Sequence, residues 1–186
     1  MSTAGVVLAA GGGARFAGLA AHKLLASFRG RPVWEWSVDA ALEADLDEVI
    51  VVTGAVDLEP LPSEVTGVRA AGWARGQAVS LHAGWIWAQR AGHDAIVVGL
   101  ADSPLVGADA WRAVAAATAT PIAVADFGGR RMPPVRLAAE VWPLLPTEGD
   151  EGARVLFAAR PDLVTAVPCT GEPADIDTVE DLERWS

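Results

Sequence analysis

Apolar runs of strand length alternate with helical patterns along this chain. The runs are apolar at consecutive positions rather than at every second one, which is typical of parallel strands covered on both faces. Strands are predicted at Val6–Ala10, Val49–Thr53, Ala95–Leu100, Ile122–Ala125 and Leu163–Val167. Helices are predicted at Pro32–Ala44, Gln77–Ala91, Asp109–Ala117, Ala138–Leu145 and Ala153–Ala159. The alternation favours an α/β layer fold with a mainly parallel sheet.

The segments between these elements predict where chemistry should lie. Ligands of such folds bind beyond the carboxyl ends of the strands, so the residues after Ala10, Thr53 and Leu100 are the first candidates. The turn-rich segments 58–67 and 128–137 are predicted to be surface loops. Near the end of the chain, Thr178 and Asp181 have the spacing of a capping box that starts a short helix. With no linker or repeat in the pattern, residues 1–186 are expected to form a single domain.

Composition and charge narrow the possible partners. The net charge of −10 argues against nucleic acid, which basic surfaces bind. No apolar run reaches the roughly 20 residues that a membrane helix needs, so no membrane partner is expected. One cysteine, Cys169, cannot form an internal disulfide, which favours a cytoplasmic location. A small anionic substrate stays possible if a few cations gather in one pocket.

The chain uses arginine far more often than lysine. Lys23 is the only lysine beside thirteen arginines, and the chain has neither Asn nor Tyr. A GC-rich codon bias explains these absences, and under that bias a retained lysine is informative. A compact, flexible ammonium and a planar guanidinium differ where a point charge must fit among phosphates. Lys23 is therefore a candidate functional residue, and chance survival of one lysine is the alternative.

A glycine-rich turn follows the first predicted strand, in "LAAGGGARF" at residues 8–16. Such turns bind phosphate through free backbone N–H groups. A dinucleotide fingerprint fails because Phe16 stands where its last glycine belongs, and a P-loop fails because Leu19 stands where its lysine belongs. The loop instead brings its own cations, Arg15 and Lys23. That combination suits a nucleoside triphosphate with a departing pyrophosphate.

This stretch resembles the signature of the MobA-like nucleotidyltransferases, and the chain is most similar to their molybdenum cofactor cytidylyltransferases. Further segments match that family in order: "GRPVWEWSVDAA" (30–41), "GQAVSLHAG" (76–84), "GLADSPLV" (99–106), "GDEGARVLFAARPDLVTAVPC" (149–169) and "DIDTVEDL" (175–182). Each segment is weak evidence alone, whereas five in the right order are strong evidence. The resemblance implies a three-layer α/β/α sandwich with the Rossmann-like nucleotidyltransferase fold.

The resemblance also implies roles for individual residues. Arg15, Lys23 and Asp102 would be catalytic, with the two cations stabilising charge as pyrophosphate leaves. Asp102 and Asp177 would hold Mg²⁺. Ala10 stands where the guanylyl branch tends to have glycine, which favours cytidine. The nucleotide-binding set would be Ala9, Ala10, Gly11, Gly12, Arg15, Lys23, Gly76, Gln77 and Ser80.

The implied reaction is transfer of CMP from CTP to a phosphorylated molybdopterin-type cofactor, with release of pyrophosphate. A molybdoenzyme or its chaperone would be a further partner. However, "GGRRMPPVRL" (128–137) departs from the segment that shapes the family's acceptor pocket. Since reductases of flavin- or quinone-like compounds occur among close relatives of this branch, an NAD(P)H-dependent reductase of a quinonoid heterocycle is the alternative. In that case Arg130, Arg131 and Arg136 could hold a different anionic ligand; the alternative, for at least two of them, is a solvated basic loop.

Overall fold

The computed structural model describes residues 1–13 and 22–186; Arg15 therefore lies outside the described residues. The strands of the described part are β1 Thr3–Ala9, β2 Ser27–Phe28, β3 Arg31–Pro32, β4 Glu48–Thr53, β5 Val65–Arg69, β6 Ala95–Leu100, β7 Ile122–Phe127, β8 Arg130–Ala138 and β9 Val164–Pro168. The α-helices there are α1 Val33–Glu43, α2 Gln77–Ala91, α3 Ala108–Ala116, α4 Arg154–Ala159 and α5 Val179–Trp185. Short 3-10 helices cover Lys23–Leu25, Trp73–Arg75, Ala139–Leu144 and Pro161–Leu163.

The main sheet has the strand order β5-β4-β1-β6-β8-β7-β9. Its neighbours pair in parallel except around β8, which runs antiparallel to both β6 and β7. Strands β2 and β3 form a separate small antiparallel pair. The predicted α/β fold with a mainly parallel sheet is confirmed.

Helices cover both faces of this sheet and give three layers. One face packs with α1 and α3 in a core that includes Trp34, Val51 and Trp111. The other packs with α2 and the 3-10 helix Ala139–Leu144 in a core that includes Trp85 and Trp142. No helix in the described ranges is long and apolar enough to cross a membrane.

The segment 128–137 was expected to be a surface loop, and that expectation is wrong. It forms most of β8, inside the sheet, with Val135 and Leu137 buried. Proline has no backbone N–H to donate to a sheet ladder, so the two prolines in this segment favoured a loop over a strand. The structure accommodates the two prolines at an irregularity: Val124 pairs with Val135 and Ala125 with Met132, so Pro133 and Pro134 fall between paired positions.

Two further predictions differ from the structure, one just after β8 and one at the edge strand β5. The predicted helix Ala138–Leu145 is a 3-10 helix over Ala139–Leu144, with Pro143 inside it. The predicted loop 58–67 ends inside the edge strand β5, Val65–Arg69. By contrast, the structure has a strand at Ala95–Leu100 and a helix at Gln77–Ala91, with the bounds that were predicted.

Strand order sets where a site can form. Since β4, β1 and β6 are adjacent and parallel, their carboxyl ends meet at one edge. There Ala55 N–H donates to the Ala10 carbonyl at 3.1 Å, and Ala101 N–H donates to the Leu8 carbonyl at 3.1 Å. Farther along the chain, Ile176 N–H donates to the Asp102 carbonyl at 2.8 Å. The segment before α5 is thus fastened to the end of β6.

Candidate active site

A cavity of about 330 Å³ opens at the carboxyl ends of β1 and β6. It is lined by Leu8, Ala10, Gly11, Gly12, Trp73, Ala74, Gly76, Gln77, Ser80, Leu100, Asp102 and Asp150. Most of the predicted nucleotide-binding residues of the described part therefore lie around one space. Ala9 does not: it is buried in the core on the α1 side of the sheet. The roles predicted for Arg15 concern a position outside the described residues.

Lys23 joins the two carboxylates that were predicted to hold a metal ion. Its Nζ donates to Asp102 Oδ2 at 2.6 Å and to Asp177 Oδ1 at 2.8 Å. The lysine side chain is 12% exposed, against 20% for Asp102 and 37% for Asp177. One ammonium group thus lies between two carboxylates from distant parts of the chain, beside the glycine-lined cavity.

The charge state of Lys23 follows from these contacts. Burial disfavours the ammonium form, but the charge of Asp102 and the hydrogen bonds to both carboxylates outweigh it and raise the pKa of Lys23. The side chain is therefore a cation at any physiological pH. Two carboxylates this close would repel each other without a cation, so the lysine stabilises the pair.

Lys23 is held at its backbone by His22. The His22 Nδ1 accepts a hydrogen bond from Leu24 N–H at 3.3 Å, so the ring proton is on Nε2, which donates to the Gly11 carbonyl at 2.9 Å. The imidazole caps the 3-10 helix Lys23–Leu25 and fastens it to the glycine turn. His22 thus positions the lysine relative to the cavity, a role that the sequence pattern did not indicate.

Asp177 reaches the site because the segment before α5 is fixed at several points. Besides the Ile176–Asp102 backbone bond, Ser103 Oγ donates to Asp175 Oδ1 at 2.6 Å. The predicted capping box is confirmed: Thr178 Oγ1 accepts from Asp181 N–H at 3.1 Å, and the Asp181 carboxylate accepts from Thr178 N–H at 2.9 Å.

Asp175 is a third carboxylate near this pair, and it lies in a different environment. Burial raises its pKa, and the charges of Asp102 and Asp177 raise it further, while the hydrogen bond from Ser103 works against them. Asp175 is half-buried, and its hydrogen bond from Ser103 helps to fix the segment that carries Asp177.

A close approach of two loops builds one wall of the cavity, at Gly76 and Asp150. Gly76 has a φ of +116°, and a Cβ there would overlap the backbone of Gly149 and lie 2.8 Å from Asp150 Oδ1. Backbone bonds join the same loops: Ala78 N–H donates to the Gly149 carbonyl at 2.9 Å, and Gly149 N–H donates to the Arg75 carbonyl at 3.2 Å. Glycine at 76 is therefore required by both conformation and space.

Some lining residues were not predicted from the sequence. Trp73 packs against the glycine turn, since a Cβ on Gly12 would be 3.2 Å from its ring. Asp150 enters the cavity only through the docking of residues 148–152 on the start of α2. A tryptophan in a one-turn 3-10 helix and an aspartate in a loop carry no sequence signal of their own, and their contribution appears only with the fold.

A second, narrower cavity of about 80 Å³ adjoins the first and shares Leu8, Gln77 and Leu100 with it. Its walls are mostly apolar and include Leu81, Val98, Met132 and Phe157, with Arg131, Glu151 and Arg154 among its polar residues. The other two arginines considered above lie elsewhere. Arg130 donates to the Pro173 carbonyl at 2.9 Å, and buried Arg136 contacts Met1 Sδ. The three arginines therefore do not form one anion site.

The two carboxylates around Lys23 are too few to hold a divalent metal ion alone, but they fit one whose other ligands come from a substrate. Within the described residues, no set of three or more His, Cys, Asp or Glu side chains is arranged to hold a metal. Two carboxylates already surround one cation, however, and Mg²⁺ is usually bound by one or two carboxylates together with substrate phosphates and water. The ammonium shows that the pair accepts a cation at this position.

The model of the MobA-like NTP transferase domain matches residues 5–164. The chain belongs to the MobA-like NTP transferase family. That match covers the glycine turn, Lys23, Asp102 and the loop at Gly149, whereas Asp177 lies beyond it. The domain is that of a nucleotidyltransferase.

Two relatives of this MobA-like chain carry names from different functional classes. The purine catabolism protein PucB of Bacillus subtilis (strain 168) is 31% identical, over 96% of this chain and 93% of its own. The nicotine blue oxidoreductase of Paenarthrobacter nicotinovorans is also 31% identical, over 97% of this chain and 94% of its own. Among solved structures, a nucleotidyl transferase from Methanothermobacter thermautotroptrophicus superposes with a TM-score of 0.82 at 25% identity, over 98% and 95% of the two chains.

Proposed function

We propose that this MobA-like protein is a Mg²⁺-dependent cytidylyltransferase, transferring CMP from CTP to a phosphorylated molybdopterin-type cofactor. The observation that carries the proposal is the Lys23 ammonium between Asp102 and Asp177, beside a cavity lined by the glycine turn. Nucleoside triphosphates are the usual substrates of this family, and its members typically use a divalent metal ion. The cytidine preference rests on Ala10.

The residues around the cavity divide the substrate between them. Gly11, Gly12, Gly76, Gln77 and Ser80 all line the cavity. The backbone of Gly11 and Gly12 would face the phosphates, and Gly76, Gln77 and Ser80 would face the base and ribose. An oxygen of the acceptor's phosphate attacks the α-phosphorus; this P–O bond forms while the bond to pyrophosphate breaks. Lys23, with Arg15, neutralises charge on the departing pyrophosphate. Bound through Asp102 and Asp177, Mg²⁺ would supply Lewis-acid stabilisation of charge on the phosphate oxygens.

The acceptor would bind in the narrower, largely apolar cavity. It adjoins the nucleotide cavity at Leu8, Gln77 and Leu100, so an acceptor there would lie beside the bound nucleotide. Arg131 and Arg154 line this cavity and could contact an anionic group on the acceptor, while Phe157 and Met132 offer apolar contact to a ring.

Calorimetry with each of the four nucleoside triphosphates and Mg²⁺ tests the nucleotide half of this proposal. CTP should bind most tightly, and Ser80→Ala should weaken it while Ser63→Ala, on an exposed loop, should not. Incubation with α-phosphate-labelled CTP and a cell extract should then label an acceptor. Absence of binding by any triphosphate would reject the proposal.

A reductase of a quinonoid heterocycle is the second candidate. It is supported by the oxidoreductase among the relatives and by a mostly apolar cavity beside β8, the strand in which this chain departs from the family's acceptor segment. The nicotinamide cofactor would be NAD(P)H. Titration with NADPH, followed by nicotinamide fluorescence, separates the two candidates, since a flat titration counts against the reductase.

The proposal extends to the setting of the reaction. We place it in the cytoplasm, because a chain with one cysteine needs no oxidising compartment. Residues 1–186 would act as one domain, and a molybdoenzyme or its chaperone would receive the product. Neither nucleic acid nor a membrane would take part.

A further inference from the structure

Lys23 occupies the position at which a divalent ion would bind. Its ammonium is within hydrogen-bond distance of both carboxylates, and its side chain is only 12% exposed. A nucleotide-binding lysine and a metal ion cannot both hold this position. A metal ion bound to the same two oxygens would therefore have to replace the ammonium.

We propose that Lys23 is an internal counter-cation that closes the Asp102–Asp177 pair to free divalent ions and leaves it only for a triphosphate that brings its own metal. The inference rests on the proposed function, since it assumes that a metal–nucleotide complex is the substrate. It goes beyond that function because it assigns an order: metal enters with the nucleotide rather than before it.

Charge balance supports the exchange. Without a cation, two neighbouring carboxylates on a chain of net charge −10 would attract any divalent ion in solution. With Lys23 in place, a free metal ion would have to displace an ammonium that is already bonded to both carboxylates. A triphosphate would change this balance because its oxygens would offer the Lys23 ammonium a new partner, and Asp102 and Asp177 could then hold the metal ion that accompanies it.

The local structure allows the side chain to move while the backbone stays fixed. His22 fastens the start of the 3-10 helix to Gly11, and Ala26 N–H donates to the Lys23 carbonyl at 3.2 Å. Any movement is then confined to the four-carbon side chain of Lys23, whose rotation can point the ammonium group in several directions. A guanidinium fork lacks this freedom, which accounts for a lysine here in a chain that otherwise uses arginine.

Binding of Mn²⁺ alone, measured by EPR without nucleotide, tests the proposal. Lys23→Met should bind Mn²⁺ about tenfold more tightly than the parent, because an adjacent positive charge has been removed from the carboxylates. Arg112→Gln is the matched control: it removes one positive charge from an exposed residue of α3 and should change the affinity little. Adding Asp102→Asn to Lys23→Met should abolish the gain.

Equal affinity of Lys23→Met and the parent would overturn the proposal, and so would an equal gain in Arg112→Gln. If Lys23→Met does not fold, the parent protein provides the test. Labelled with ¹⁵N-lysine, it gives one side-chain signal, since Lys23 is the only lysine. That signal should stay in place with Mg²⁺ alone and shift with CTP and Mg²⁺ together; a shift with Mg²⁺ alone overturns the ordered exchange.

Failure of the proposed cytidylyltransferase function gives a different result from failure of the counter-cation proposal. In that case no nucleotide moves the lysine signal, while the Mn²⁺ comparison between Lys23→Met, Arg112→Gln and the parent still reports on the counter-cation.

Discussion

Substituting Gly76 by alanine should disturb the nucleotide cavity more than it disturbs the fold. At φ +116° and ψ 169° the residue lies in a region that is essentially restricted to glycine, and forcing a side chain there costs about 1–3 kcal/mol. The added Cβ would also overlap the Gly149 backbone, so the loop carrying Asp150 must retreat by about 1 Å to restore a normal contact. That loop is a wall of the cavity, so Gly76→Ala should lower both the CTP affinity and the free energy of unfolding.

Gly92→Ala separates the two effects. Gly92 ends α2 in a left-handed conformation with φ +85°, and nothing lies within 4 Å of a Cβ there. This control carries backbone strain of about 1 kcal/mol without a clash. Urea unfolding should show a larger loss for Gly76→Ala than for Gly92→Ala, and calorimetry should show weaker CTP binding only for Gly76→Ala. Equal losses of stability together with unchanged CTP affinity would refute the contact between the two loops as the reason for glycine at 76.

Three further outcomes follow from the carboxylates and their lysine. Lys23→Arg should slow transfer about tenfold or more in a single-turnover assay, because the planar guanidinium cannot replace an ammonium that turns among several oxygens. Asp102→Asn and Asp177→Asn should each reduce Mg²⁺-dependent transfer, and the double variant should be scarcely worse than the worse single one; full activity of Asp177→Asn would restrict the metal to Asp102. The raised pKa of Asp175 means that its ionisation opposes folding as pH rises from its ordinary value of 3.8 to its raised value. Asp175→Asn should therefore melt higher than the parent at pH 7 and not below about pH 4, as thermal unfolding at both pH values would show.

The elements that the sequence predicted well are those whose pattern is set by burial alone. Ala95–Leu100 is a central strand covered on both faces, and its continuous apolar run marks it without ambiguity. Strand β8 was missed because its pattern has two prolines and three arginines. The information that makes it a strand lies in its partners β6 and β7 and in the irregularity at Val124, which no local pattern contains.

The candidate site shows the same division. Lys23 and Asp102 could be selected from residue type and position, since one is the only lysine and the other follows a buried strand. Their meeting with Asp177 depends on the Ile176–Asp102 backbone bond, which joins positions far apart in the sequence. The parts played by His22 and Trp73 depend on contacts with the glycine turn, and these follow from the folded geometry rather than from residue type.

A crystal structure with Mn²⁺ and a non-hydrolysable CTP analogue, with the metal located by anomalous scattering, tests the central claim most directly. We expect the anomalous peak between Asp102 and Asp177, the cytosine near Gly76 and Ser80, and the Lys23 ammonium on the triphosphate. A metal bound away from these carboxylates, or a Lys23 still paired with both of them beside the bound analogue, would contradict it.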